Sequence, residues 1–299
     1  MTQAEAAAPS AWRGGAAEKA APGLYIVATP IGNLRDITLR ALATLAGCDL
    51  VLAEDTRVSR TLLAHYNIAT PLSSYHEYNA AEVEPGLVAR LRDGAAIALI
   101  CDAGTPLLSD PGARLVGAAV AAGARVVPIP GASALLAALT VAGLPADRFF
   151  FEGFLPVKSA ARRARIALLA AVPGTLVFYE SPRRAAVTLA DLAAVLGARA
   201  AVLARELTKH FETVRRGTLL SLAEELASEP TPKGEIVLIV APPGEADAPG
   251  PADLDAALRR ALGKFSVKDA ASIVAAETGA PRRVVYARAL QLAAGGDEA

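Results

Sequence analysis

Three short loops rich in glycine and proline follow apolar runs of strand length in this chain. They read ATPIGN at residues 28–33, CDAGTP at 101–106 and PIPGAS at 128–133. Glycine lets a backbone approach a ligand closely, and proline fixes the shape of a loop at low entropic cost. Because parallel sheets bind ligands at the carboxyl ends of their strands, the loops indicate either a ligand site or plain turns. Neither GxGxxG nor GxxxxGKS/T occurs, which removes the main support for a dinucleotide or ATP site.

Charged residues at or near strand ends form a second group of candidates. They lie in AEDTR at residues 53–57, YES at 179–181 and RELTK at 205–209. A carboxylate in such a position can accept a proton, and a basic side chain can hold a phosphate. The same residue types also build structural ion pairs, so both interpretations stay open. The residues concerned are Glu54, Asp55, Arg57, Glu180, Arg205, Glu206 and Lys209.

Apolar runs that alternate with helical patterns predict the elements that position these residues. Strands are expected at GLYIVATPIGN, CDLVLAEDT, AAIALICDAGTP and ARVVPIPGAS, and a helix with Asp36 as its cap is expected over 36–45. Strands and helices in regular alternation are typical of a parallel sheet. The strands are apolar on both faces, as a sheet covered by helices on each side requires.

The second half of the chain has a different pattern. From Phe149 the strands lie closer together, which predicts a mixed sheet with hairpin pairing. Two helices follow in the tail, where Ser266 and Asp269 have capping-box spacing and Gly279 and Pro281 mark the break between the helices. The fold class is therefore α/β, with two α/β domains and a small helical unit. The predicted organisation is a disordered tail at 1–22, domains at 23–148 and 149–241, a linker at 242–252 and the helical unit at 253–299.

Composition excludes several classes of protein. No apolar run reaches the length of a membrane span, and the N-terminal stretch lacks the apolar block of a secretory signal. Cys48 and Cys101 lie in apolar segments without metal-ligand spacing, which predicts buried reduced thiols, no metal site and a cytoplasmic location. The formal charge of zero argues against a surface that binds nucleic acid everywhere, although local patches can do so.

Two basic stretches are such patches. One lies near a helix start, and the other spans residues 253–290, which hold seven Lys or Arg against four Asp or Glu. Each is either a solvated helix face or a set of phosphate contacts. Tyr75 and Tyr78 can likewise stack on an extruded RNA base or anchor their loop. The basic residues singled out are Lys158, Arg162, Arg163, Arg165, Arg282 and Arg283.

Eight blocks of sequence, in this order, resemble the ribosomal RNA methyltransferase branch of the tetrapyrrole methylase superfamily. They are TPIGNLRDITLRAL, LAEDTR, CDAGTPLLSDPG, PIPGASALLAAL, FEGFLPVKSAARR, FYESPRR, ARELTKHFET and KGEIVLIV, within residues 23–241. The resemblance implies methyl transfer from S-adenosylmethionine to a cytidine ribose 2′-hydroxyl in small-subunit (16S) ribosomal RNA. It also implies two α/β domains with the cofactor in the cleft between them, a homodimer, and the 16S RNA or small ribosomal subunit as partner.

Such a reaction would give the candidate residues their roles. Our hypothesis for catalysis is that a carboxylate among Glu180, Glu206 and Asp55 takes the hydroxyl proton, with Lys209 or Arg57 holding a phosphate. The candidates for RNA contact are Lys158, Arg162, Arg163, Arg282 and Arg283. The residues implied to hold the cofactor are Pro30, Ile31, Asp102, Gly104, Pro106, Ser133, Ala134 and Tyr179. For Asp102 a second possibility is that its carboxylate caps the following helix.

Two other functions fit parts of the sequence. A methylase acting on a porphyrin- or corrin-like ring would use the same cofactor cleft for a different acceptor. A nucleic-acid-binding regulator would use the last two helices as a helix-turn-helix, but it leaves both large α/β domains without a purpose. Cofactor binding separates the regulator from the enzymes, and methyl transfer to small ribosomal subunits separates RNA from a tetrapyrrole.

Overall fold

A computed structural model of the chain describes residues 18–244, 251–278, 280 and 282–294. These residues form two compact units. The first holds the described residues up to Ala138 together with residues 206–213, and the second holds Leu139–Arg205 and the described residues from Val214 onward. Residues 206–213 belong to the first unit, although this segment connects two strands of the second unit.

The first unit is built on a five-stranded parallel sheet, as the sequence predicts. The strands run in the order β3-β2-β4-β1-β5, and each neighbouring pair is parallel. The elements are β1 (Gly23–Val27), α1 (Leu39–Gly47), β2 (Leu50–Ala53), α2 (Thr56–His65), β3 (Leu72–Ser74), α3 (Ala80–Arg92), β4 (Ala96–Leu99), α4 (Ala113–Ala121), β5 (Val126–Ile129) and α5 (Ala134–Ala142), whose residues from Leu139 onward fall in the second unit.

Alternate strand residues of this sheet enter two separate cores. Val51 and Ala98 pack on one face with residues of α1 and α2, whereas Leu52 and Leu99 pack on the other with residues of α3 and α4. Burial on both faces explains why the strands are apolar runs instead of alternating patterns. It also holds the strand ends, and the loops that follow them, in fixed positions.

The start of α1 corrects one local prediction. The helix begins at Leu39 and Thr38 is its cap, with the Thr38 hydroxyl accepting a hydrogen bond from the Ala41 N–H at 3.1 Å. Asp36 instead ends a short 3₁₀ turn over Leu34–Asp36, which Asn33 caps. Two residues able to cap lie close together here, and Thr38 stands in extended backbone directly before the helical run.

The second unit carries the predicted mixed sheet. Its order is β6-β7-β10-β8-β9; β6 pairs with β7 in parallel, while β10 pairs antiparallel with both β7 and β8. Helices α6, α7 and α8 pack on one face around Phe178, Leu203 and Leu238. The elements are β6 (Phe149–Phe154), α6 (Ser159–Leu169), β7 (Thr175–Glu180), α7 (Pro182–Leu196), β8 (Ala200–Arg205), β9 (Thr213–Thr218), α8 (Leu219–Ser228) and β10 (Ile236–Val240).

Three helices follow, one more than predicted: α9 (Pro251–Leu262), α10 (Val267–Thr278) and α11 (Arg282–Ala294). They share their own core, and Arg288 pairs with Asp255 to join α11 to α9. Ser266 accepts the Asp269 N–H at the start of α10, at the predicted spacing. Gly279, Pro281, residues 1–17 of the predicted tail and most of the predicted linker lie outside the described residues.

The other described segments add two observations. Ala20, within the predicted tail, donates its N–H to the Gly47 carbonyl at 2.9 Å. Among the described residues, none of the helices combines the length and the apolar character that crossing a bilayer needs.

Candidate functional site

Hydrogen bonds join the three glycine- and proline-rich loops at the carboxyl end of the first sheet. The Thr29 N–H donates to the Gly104 carbonyl at 2.8 Å, and the Gly104 N–H donates back to the Thr29 carbonyl at 3.1 Å. The Thr105 hydroxyl then donates to the Ala132 carbonyl at 3.1 Å. The three sequence motifs are therefore held together by hydrogen bonds at one end of the sheet.

Thr29 is the buried residue that connects the first two of these loops. It is 2% exposed, and its hydroxyl donates to the Cys101 carbonyl at 3.0 Å. Burial raises the pKa of the Cys101 thiol well above its ordinary value, so this cysteine stays protonated.

Sequence reasoning missed Thr29 and Thr105, although both lie inside motifs that it quoted. Nothing in a sequence marks which threonine of a motif turns inward.

Gly104 keeps the space between the loops open. Its φ of +86° lies in the left-handed region, and an added Cβ would stand 3.3 Å from Ile31 Cγ2 and 3.8 Å from the Ala132 carbonyl oxygen. A side chain here would therefore fill the gap between the first and third loops. The position needs glycine for its conformation and also for its lack of volume.

Asp102 does not cap the helix that follows it, which rules out the alternative considered from the sequence. One of its carboxylate oxygens accepts the Asp55 N–H at 3.2 Å, whereas α4 begins after Gly112 without a side-chain cap. This bond ties the loop after β4 to the loop after β2. Asp102 is exposed, so its carboxylate also faces solvent.

The chain beyond this loop is unusual in its backbone. Leu107 and Ser109 have φ values of 77° and 68°, which lie in the left-handed region. Residues other than glycine that adopt this conformation are concentrated at functional sites. Asp110 follows these two residues, half-buried. Its pKa is raised to about 6, mainly by burial. A hydrogen bond with Cys101 lowers the pKa of Asp110, and the nearby Glu54 and Asp102 carboxylates raise it.

The other residues implied to hold the cofactor lie in the joined loops, at the start of α5 and in the second unit. Pro30, Ile31 and Pro106 are buried in the joined loops. Ser133 caps α5 by accepting the Leu136 N–H at 3.5 Å, and Ala134 is the first residue of that helix. Tyr179 belongs to the second unit, where its ring lies 4.8 Å from that of Phe151.

The segment over residues 206–213 brings a charged pair to the first unit. Lys209 Nζ lies 2.9 Å from Glu206 Oε1. Glu206 and Thr208 have φ values of 53° and 68°, and the Thr208 N–H donates to the Glu212 carboxylate at 2.6 Å. The methylenes of Lys209 lie against Gly32 in the loop after β1. The structure thus places Glu206 and Lys209 with the joined loops.

Asp55 and Arg57 form a local structure at the start of α2. Asp55 caps the helix, accepting the Arg57 N–H at 2.8 Å, and also accepts from the Arg57 guanidinium at 2.6 Å. The hydrogen bond from the Arg57 side chain lowers the pKa of Asp55 to about 2. A carboxylate held so acidic is a weak proton acceptor near neutral pH. Arg57 is 85% exposed at its side chain.

Glu180 is occupied within the second unit. It is 3% exposed, and its carboxylate accepts the Ser181 N–H at 2.7 Å and the Thr188 hydroxyl at 2.6 Å. Arg184 pairs with it at 3.2 Å. These partners hold Glu180 at the turn into α7. Glu180 therefore has the structural role in an ion pair that the sequence analysis had left open beside catalysis.

The basic residues differ widely in exposure. Arg162 is 4% exposed and forms an ion pair with Asp191 at 2.6 Å, so its guanidinium is enclosed by protein. Arg163 also pairs with Asp191 but keeps about half of its side chain exposed. The exposed members of the predicted RNA surface are Lys158, Arg163, Arg282 and Arg283.

The two tyrosines of the SYHEYNA loop also separate. Tyr75 is buried and its hydroxyl donates to Glu84 at 2.8 Å, which makes it a loop anchor. Tyr78 is 96% exposed. Stacking on a base therefore stays possible for Tyr78 alone.

Two family models match this chain. That of the tetrapyrrole (corrin/porphyrin) methylases covers residues 23–223. A second, described as the RsmI C-terminal HTH domain, covers residues 248–293, which contain α9, α10 and α11. The regulator hypothesis therefore explains only the smaller part of the chain.

Relatives and solved structures agree with these matches. Over 272 residues the chain is 56% identical to the ribosomal RNA small subunit methyltransferase I of Mesorhizobium japonicum, covering 91% of this chain and 92% of that protein. The protein of the same name from Escherichia coli O157:H7 is 46% identical over 90% of this chain and 94% of its own.

Two solved structures share the fold at low identity. Uroporphyrin-III-C-methyltransferase from Thermus thermophilus has a TM-score of 0.51 at 22% identity, covering 74% of this chain and 94% of that one. Diphthine synthase has a TM-score of 0.57 at 16% identity, covering 73% and 89%. The chain belongs to the tetrapyrrole methylase family, in the branch of the ribosomal RNA small subunit methyltransferase I proteins.

Proposed function

We propose that this protein transfers a methyl group from S-adenosylmethionine to a cytidine ribose 2′-hydroxyl in small-subunit ribosomal RNA. The observation that carries the proposal is the identity of 46% or more, over about nine tenths of the chain, to proteins named as ribosomal RNA small subunit methyltransferases. A tetrapyrrole acceptor has weaker support, because the uroporphyrin methyltransferase is only 22% identical.

The joined loops of the first unit fit a ligand with a polar amino-acid tail on an adenosine. Gly104 leaves a gap that a Cβ would fill, and Ile31 and Pro106 provide apolar walls beside backbone groups. Asp102 supplies an exposed acceptor, and Ser133 and Ala134 place a helix start beside the loops. When bound, the cofactor supplies a methyl group on a positively charged sulfonium.

Gly104→Ala is expected to weaken cofactor binding by about tenfold or more, because the new methyl group enters the gap and the backbone disfavours φ of +86°. Calorimetric titration with S-adenosylmethionine measures the effect. Gly123→Ala is the matched control, since Gly123 has a φ of +75° but no atom within 4 Å of an added Cβ. Equal affinities of the two variants would contradict the assignment of this gap.

Glu206 and Lys209 are the pair that we assign to the chemistry. Glu206 takes the proton from the ribose hydroxyl, and Lys209 holds a phosphate of the acceptor strand. Their support is their place beside the joined loops and their separation of 2.9 Å. Asp55 is less suited because Arg57 holds its pKa low, and Glu180 because its carboxylate is enclosed.

Lys158, Arg163, Arg282 and Arg283 form the proposed RNA-contacting set, from which we leave out the buried Arg162. We expect Arg282→Ala with Arg283→Ala to weaken RNA binding and to reduce the slope of log K against log salt by roughly one per lost phosphate contact. Filter binding of a small-subunit RNA fragment over a salt series measures both. Arg92→Ala, an exposed arginine at the end of α3, is the control, and an unchanged slope would remove this helix start from the RNA surface.

We also propose a homodimer that works in the cytoplasm on ribosomal subunits. Phe149, Phe150 and Phe154 on the edge strand β6 are 38–56% exposed, an apolar edge of the kind that partner subunits cover. Light scattering of the protein and of Phe154→Glu tests this. A monomer at micromolar concentration in both cases would contradict the dimer.

The decisive experiment offers labelled S-adenosylmethionine with three acceptors: isolated small ribosomal subunits, free 16S RNA and uroporphyrinogen III. Label that enters small-subunit RNA, located on a cytidine 2′-oxygen by nuclease mapping, is the expected result. Label in the tetrapyrrole alone would overturn the proposal in favour of the alternative. Cofactor binding without transfer to any of the three would remove the assigned acceptor.

A further inference from the structure

The side chain of Lys209 lies directly over the backbone of Gly32. A Cβ built on Gly32 would stand 2.4 Å from both Cγ and Cε of Lys209 and 2.8 Å from its Cδ. Outside their own residue and its chain neighbours, real Cβ atoms essentially never come within 3.0 Å of another heavy atom. The methylenes of Lys209 thus occupy the space where any other residue at position 32 would carry its side chain.

The far end of Lys209 is held as well. Its Nζ lies 2.9 Å from Glu206 Oε1, and its N–H donates to the Glu206 carbonyl at 3.0 Å. Glu206 and Thr208 both have left-handed backbone, a conformation that persists only where the surroundings enforce it. Lys209 is therefore fixed along its stem by Gly32 and at its ammonium by Glu206.

The contact also connects two parts of the site that lie far apart in the sequence. Gly32 adjoins Ile31, whose Cγ2 is the atom nearest to an added Cβ at Gly104. The loop under Lys209 is thus the same loop that borders the gap at Gly104. A shift of Lys209 by the width of a methyl group would change where its ammonium stands relative to that gap.

We infer that Gly32 is a positioning residue for methyl transfer: because it has no side chain, Lys209 can lie across the loop after β1 and present its ammonium beside the joined loops. The inference rests on the role proposed above for Lys209. A merely structural role, in which Gly32 serves only its own φ of +143°, makes different predictions.

Gly123→Ala is a control for left-handed backbone alone. Its φ of +75° burdens an alanine with backbone strain, yet no atom lies within 4 Å of the added Cβ. Gly32→Ala adds the collision against Lys209 and also a larger backbone burden, because φ of +143° is a conformation that glycine adopts almost exclusively. Removing Lys209 together with Gly32 in a double variant therefore separates the displacement of Lys209 from backbone strain.

The experiment compares the full-length wild type, Gly32→Ala, Gly123→Ala, Lys209→Ala and the double variant Gly32→Ala with Lys209→Ala. Competitive acetylation followed by mass spectrometry measures the reactivity of each lysine, and steady-state kinetics with small ribosomal subunits gives kcat and KM. In Gly32→Ala we expect Lys209 to become more reactive, because it leaves Glu206, while the other lysines keep their reactivity. We expect kcat/KM to fall about 10²-fold, the scale of a 1 Å misplacement, with part of the loss in KM because Lys209 holds a phosphate of the acceptor.

The double variant supplies the sharpest readout. If Gly32 acts through Lys209, then Gly32→Ala lowers kcat no further once Lys209 is alanine. Additive losses, or a Gly32→Ala variant that matches Gly123→Ala in lysine reactivity and kcat, would overturn the inference. A wild type that methylates no small-subunit RNA would instead refute the proposed function, and the acetylation comparison would still show whether Gly32 places Lys209.

Discussion

Glu206→Gln is expected to lower kcat for methyl transfer to small ribosomal subunits by about 10²- to 10⁴-fold, the usual contribution of a general base. The substitution keeps the size of the side chain, and the amide oxygen can still accept from Lys209 Nζ, which lies 2.9 Å from Glu206 Oε1. It removes only the capacity to take the proton from the ribose hydroxyl. Cofactor affinity and thermal stability should therefore stay close to those of the wild type.

Single-turnover kinetics at saturating cofactor measure this loss without interference from product release. Glu212→Gln is the matched control, because Glu212 belongs to the same segment and its carboxylate accepts the Thr208 N–H at 2.6 Å. If removing a charge from the segment were enough, both variants would be slow. A Glu206→Gln enzyme with a near-normal single-turnover rate would show that another group accepts the proton.

Much of the fold could be predicted because its physical causes are local. Apolar runs predicted β1, β2, β4 and β5, and the glycine and proline after β1, β4 and β5 placed the three loops at one edge of a parallel sheet. The strand β3 was missed, since Leu72–Ser74 is short and two of its three residues are polar. It pairs with β2, and that neighbour, more than its own sequence, makes it a strand.

The candidate site was harder to predict because charged residues look alike in a sequence. Glu180 ends β7 and Glu206 directly follows β8, yet Glu180 is enclosed by Ser181 and Thr188 whereas Glu206 pairs with Lys209. Only tertiary structure decides which carboxylate is enclosed. The contact of Lys209 with Gly32 could not be predicted either, since it joins segments that lie far apart in the sequence.

Asp191→Ala is expected to destabilise the second unit by about 3–5 kcal/mol, because it leaves the buried guanidinium of Arg162 without its counter-charge. Both residues are 4% exposed, and Asp191 accepts from Arg162 Nε at 2.7 Å and from the Ser159 hydroxyl at 3.0 Å. Denaturant unfolding followed by circular dichroism measures the loss. Glu224→Ala, an exposed acid on α8, is the control and should change little. A small loss for Asp191→Ala would mean that water reaches Arg162.

The same ion pair predicts how the stability of the second unit depends on pH. Burial alone would raise the pKa of Asp191, but hydrogen bonds from Arg163, Ser159 and Arg162 together outweigh it and hold the pKa below the ordinary 3.8. A lowered pKa stabilises the folded state above the unfolded value, and this stabilisation disappears as the pH falls through the folded pKa. The difference in unfolding free energy between wild type and Asp191→Ala should therefore be constant near neutral pH and shrink below about pH 4. A difference that stays constant down to pH 2 would show that Asp191 has the same pKa in the folded and unfolded states, which would contradict the lowering of its pKa by the ion pair.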